Sequence, residues 1–90
     1  MKKKFSGKLL SGHKDAVEVP FDPGREWHLQ PQVLRPGRRG FRVKVRINGS
    51  AFDSAIVPRQ QRWFLLVDTD AARSAAVSVA DRVQVTVEPS

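Results

Sequence analysis

The stretch Phe41-Arg-Val-Lys-Val-Arg-Ile47, then Asn48-Gly49, then Ser50-Ala-Phe-Asp-Ser-Ala-Ile56, decides the fold. Phe41, Val43, Val45 and Ile47 alternate with Arg42, Lys44 and Arg46. This is the period of two that a half-buried strand requires, because successive side chains leave opposite faces. Asn-Gly supplies the two consecutive positive φ angles of a type I′ turn, whose twist suits the strands it joins. A two-residue loop pairs Val45 with Phe52, Val43 with Ser54 and Phe41 with Ile56 on one face, and Lys44 with Asp53 on the other. Both arms agree on one register, and a slip of a single residue turns every apolar side chain outward.

Toward the N-terminus, Lys3 to Leu10 reads as a strand closed by Gly12, with Phe5 and Leu9 on one register and Leu10 on the other. Ala16 to Phe21 alternates with Val17, Val19 and Phe21 inward, and Pro20 marks an edge or an end because it cannot donate to a ladder. Between Asp22 and Gly40, Pro23, Gly24, Pro31, Pro36, Gly37 and Gly40 break any long element. The expectation there is a long connection with one turn of helix around Arg25 to Leu29. Toward the C-terminus, Pro58 to Arg62 is polar and turn-like, and Trp63 to Val67 is a continuous apolar run expected of a strand covered on both faces. Asp68-Thr69-Asp70 offers capping oxygens and first-turn acid for a short helix from Asp70 to Ala76. Arg82 to Glu88 then alternates Val83, Val85 and Val87 inward. The pattern predicts a mainly β protein: a small closed or split β-barrel of about six strands with one short helix.

The order Val19-Pro-Phe21, the Phe41-to-Phe52 hairpin, Trp63-Phe-Leu-Leu-Val67, a short alanine-rich helix and the closing Asp81-Arg-Val-Gln-Val-Thr-Val87 resembles the domain-of-unknown-function family 1905 over nearly the whole chain. The resemblance implies a compact barrel of the double-split type, similar in core topology to the swapped-hairpin barrels of transition-state regulators but completed within one chain. Some relatives are linked to YdeI-type bacteriocin-protection proteins, and no activity comes with the family. Two departures stand out. Ala80-Asp81 replaces the family's usual Gly-Asp, which strains a positive-φ turn there. Asp68-Thr69-Asp70 makes acidic a corner that relatives carry as basic, which weakens any anion site at that helix start.

Ninety residues make a single domain, with residues 1–4 expected as a flexible basic tail. Absent cysteine excludes disulfides and thiolate zinc sites and fits a reducing, cytoplasmic setting. Phe5 to Leu10 is too interrupted for a signal peptide, and no run approaches a membrane span. His13 and His28 fall in loops without a second ligand at metal spacing, so both read as surface histidines and no metal or cofactor is expected. No serine sits beside a base in a nucleophile-elbow context, and Asp68 with Asp70 reads as helix capping rather than an acid pair. A non-enzyme is the expectation. The net charge of +7 points instead to partners. Arg35, Arg38, Arg39, Arg42, Lys44 and Arg46 run without an intervening acid, and the last three share a strand face. They are the expected contact for a polyanion such as nucleic acid, or for an acidic protein partner, against an ordinary solvated sheet face. Trp27 and Trp63 offer stacking platforms if exposed, or an aromatic-lined barrel mouth for a protein or small ligand; as core they would cap that mouth. A monomer is expected.

Overall fold

The computed structural model describes residues 2–12 and 14–90. Among the described residues seven strands are present: β1 (Lys3–Leu10), β2 (Ala16–Val19), β3 (Gln32–Arg35), β4 (Arg38–Ile47), β5 (Ser50–Arg59), β6 (Arg62–Leu66) and β7 (Arg82–Pro89). Two short helices interrupt them, α1 (Pro23–Trp27) and α2 (Thr69–Ser74). The strand order is β3-β4-β5-β6-β2-β1-β7, and a further β4–β7 pairing closes six antiparallel strands into a barrel with β3 added outside. The central hairpin forms in the expected register, Val45 opposite Phe52, Lys44 opposite Asp53 and Phe41 opposite Ile56.

Closure depends on the length of β4. Its first residues pair with β3, Gly40 opposite Gln32, while Val43 to Ile47 pair with β7. Two strands thus lie end to end along one edge of β4, and the Ser90 N–H donates to the Arg42 carbonyl where they meet. The inward register of each strand fills the barrel: Leu9, Val17, Val43, Ile47, Ile56, Leu65, Val85 and Val87 are each at most 1% exposed.

Several expectations are corrected. The segment from Asp22 to Gly40 is not a plain connection. Asp22 caps α1, its carboxylate accepting from the Gly24 and Arg25 N–H groups at 3.0 and 3.3 Å, and Pro23 sits in the first turn where its missing N–H is harmless. β3 follows and pairs with β4 across Pro36-Gly37, so β4 begins at Arg38 rather than Phe41. Lys3 and Lys4 are strand residues, opposite Val87 and Thr86, not part of a tail. Lys3 also pairs with Glu26 at 2.7 Å. Finally, β6 is not covered on both faces. Leu65 is buried inward, but Phe64 and Leu66 on the outward register stay partly exposed.

Ala80 adopts φ 78°, so the turn before β7 places an alanine in the left-handed region. His28 closes α1 in the left-handed region and is exposed. His13 lies outside the described residues.

Candidate nucleic-acid interface

The β3–β4 hairpin gathers the basic residues. Arg35 opposes Arg38 next to its turn, and an irregularity at Leu34 shifts the register there. Gly40 makes the arrangement possible: a Cβ would run into the Ile56 carbonyl and meet Leu34 Cδ1 at 2.9 Å. With glycine there, Leu34 and Val57 both approach the Gly40 backbone. Arg42, two residues further along the same face, donates to the Leu34 carbonyl at 3.5 Å. The result is a cleft of about 320 Å³, lined by the cations Lys14, Arg35, Arg38 and Arg42 and the carboxylates Asp53 and Asp68, with Leu34, Ser54, Ala55 and Leu66 between them.

Four cations face two carboxylates, and one of these is occupied: Asp68 Oδ1 accepts from the Ala71 N–H at 2.7 Å as the α2 cap. Ser54 donates its hydroxyl to the Leu66 carbonyl and is satisfied without a ligand. Among the described residues the ion pairs are Lys3–Glu26 and Arg62–Glu18, so none of Arg35, Arg38, Arg42, Lys44 and Arg46 is neutralised within 4 Å. Lys44 and Asp53 are opposite in register yet form no such pair.

A second, smaller depression of about 170 Å³ lies further along β4, where Lys44 and Arg46 meet Lys2, Thr86 and Glu88. Cross-strand register sets Lys44 between Asp53 and Glu88, and Arg46 between Ala51 and Thr86. Acidic neighbours therefore divide the basic face at Lys44 into two clusters. Arg46 is held partly in place by donating to the Gly49 carbonyl at 3.2 Å.

The family model described as Domain of unknown function (DUF1905) matches residues 5–87. The chain belongs to this family. No curated protein matches it. In this DUF1905 domain the matched segment takes in all seven strands at least in part, so the cleft is built on the family's own barrel rather than on an appendage.

The expected site residues divide unevenly in the DUF1905 barrel. Arg35, Arg38 and Arg42 converge on the first cleft, and Lys44 and Arg46 share the second. Arg39 does not join them. It opposes Val33, 59% exposed, on the other face of the ribbon. Trp27 is corrected as a stacking platform: it is 3% exposed and packs edge-on against Phe21 at 5.6 Å. Trp63 is half-buried against the core and packs on Phe41, ring centroids 5.5 Å apart. Lys14 escaped the sequence reading because it lies in the β1–β2 loop, far in sequence from the arginines that it joins. Lys4, Lys8 and Arg82, exposed on the outward register of β1 and β7, also extend the basic surface. Among the described residues no group of three metal-ligating side chains occurs.

Proposed function

We propose that this DUF1905 barrel is a non-enzymatic binding module whose basic outer face engages a polyanion, nucleic acid being the natural fit. The observation that carries the reading is the convergence of Lys14, Arg35, Arg38 and Arg42 on one cleft with no ion pair among them. Surface cations that only solubilise a barrel have no reason to be collected against an outer wall by a strand and a glycine contact. Four cations against two carboxylates leave the cleft with a positive balance, which favours anions.

Phosphate contacts release condensed counterions, so affinity should fall steeply with salt. Sequence preference is not expected, since neither short helix presents base-reading side chains to a groove. Fluorescence anisotropy with labelled oligonucleotides from 50 to about 200 mM salt tests the reading. Micromolar or weaker binding is expected, and replacing Arg42 and Arg46 by Ser should flatten the logarithmic salt slope by about two units. No binding at the low-salt end, or an unaltered slope, moves the assignment to a protein-interaction or small-ligand barrel. The aromatic-mouth version of that alternative loses its support from Trp27, which is buried.

A further inference from the structure

We infer that the groove beside the arginine cleft receives an unstacked base of a single-stranded nucleic acid on the face of Phe64, with the strand's phosphates passing over Lys14 to the arginines. This rests on the polyanion reading above and names its occupant.

Two observations point there. First, the outward register of the barrel is apolar where it should be wet. Leu10 opposes Ala16, Ala16 opposes Leu66, and Phe64 stands one outward position along β6 from Leu66. Leu10 is 41% exposed and Phe64 partly so. Phe64 and Leu10 line a groove of about 520 Å³, within the size range of small-ligand sites. Second, the rim of that groove is cationic. Arg59 and Lys14 line it, and Lys14 lines the arginine cleft as well, so the two depressions adjoin through Lys14 and through the cross-strand pair of Ala16, which lines the groove, and Leu66, which lines the cleft.

An apolar floor with an aromatic ring, bordered by cations that lead to further cations, matches a chain of alternating flat rings and negative charges. Stacking on a side chain requires a base whose face is free, which a single strand offers and an intact duplex does not. A polyanion without rings would use the arginines and leave Phe64 and Leu10 uncovered. Gln60, in a backbone conformation that glutamine seldom adopts, stands at the groove's edge.

The test compares a thymidine strand of about ten nucleotides with an abasic strand of equal phosphate number, using wild type and Phe64→Leu, which keeps apolar bulk but removes the ring. Wild type should bind the thymidine strand about tenfold more tightly than the abasic one. Phe64→Leu should lose that preference while its abasic binding and melting temperature stay the same. Equal affinity of wild type for both strands overturns the inference and leaves the polyanion reading standing, independently of whether the variant folds. A preference unchanged in a folded Phe64→Leu also overturns it. Loss of all binding at low salt removes the polyanion reading and this one together, and tighter binding of an acidic peptide of equal charge replaces both with a protein partner.

Discussion

Two hairpin turns in this barrel share a backbone and differ in sequence. Asn48-Gly49 joins β4 to β5 with φ values of 50° and 78°, and Gln60-Gln61 joins β5 to β6 with 50° and 65°. Each is a two-residue loop with positive φ at both centres, the type I′ pattern that matches strand twist. At the first turn the local preference and the ladder agree. At the second the ladder decides alone: Arg59 opposite Arg62, Val57 opposite Phe64 and Ile56 opposite Leu65 hold the turn in a conformation that glutamine adopts at a cost of about 1 kcal/mol or more per residue. The first turn is also tied into the fold. Asn48 Nδ2 donates to the Ala75 carbonyl at the end of α2, 2.9 Å away, and so joins elements 27 residues apart.

The strongest way to break the first turn is Gly49→Val. Nothing lies within 4 Å of a Cβ at Gly49, so the substitution meets no neighbour and acts through the backbone alone. A β-branched residue at φ 78° costs on the order of 1 to 3 kcal/mol, which in a domain of this size lowers the melting temperature by several degrees. An unchanged melting curve would mean that the turn relaxes to another type. Next in size is Asn48→Asp, which keeps a residue tolerant of left-handed φ but removes the N–H donor and turns a carboxylate toward a helix's carbonyl end. A loss of about 1 to 2 kcal/mol is expected. Gln60→Asp, with no cap to lose, should stay within about 0.5 kcal/mol. Equal effects at the two positions would show that the Asn48 bond contributes nothing.

The converse substitution sharpens the contrast. Replacing Gln60-Gln61 by Asn-Gly gives the second turn the residues of the first, and relief of the left-handed strain outweighs the extra chain entropy of glycine. The expected gain is about 1 kcal/mol, a rise of roughly 4 to 8 °C, read by thermal unfolding. A fall would indicate that the glutamine side chains hold the turn by contacts that asparagine and glycine lack.

The same contrast explains what could be read in the chain. The β4–β5 register and the closing strand were legible because alternation and turn chemistry coincided there. β3 was hidden because Pro31, Pro36 and Gly37 bracket only four residues, and because Leu34 interrupts the ladder. The prolines that masked the strand also blunt it as an exposed edge. α1 was legible in part: Asp22-Pro23 is a cap followed by a first-turn proline, a start signal two residues before the expected turn of helix. Of the site, the run of basic residues was visible as composition, and its division was not. Arg39 fell away through strand parity, and Lys14 joined through folding. Trp63 to Val67 looked like a strand covered on both faces, whereas its outward residues stay partly exposed, Leu66 lining the arginine cleft and Phe64 the neighbouring groove.

The last variant concerns Ala80, another residue in the left-handed region. Its φ of 78° is fixed from two sides. The Ala80 N–H donates to the Leu9 carbonyl at 2.8 Å, and Asp81 holds the loop by accepting from the Ser78 N–H at 2.8 Å and donating its own N–H to the Ser78 carbonyl at 3.0 Å. The backbone has no freedom to leave the region, so alanine bears the strain of its Cβ against the following carbonyl. Ala80→Gly removes that strain but enlarges the unfolded ensemble, and the two terms leave a net gain of about 0.5 to 1 kcal/mol. Ala80 lines neither the arginine cleft nor the Phe64 groove. The variant should therefore melt a few degrees higher with an unchanged salt slope for oligonucleotide binding. A lower melting temperature would mean that the alanine methyl gains more in packing than it loses in strain.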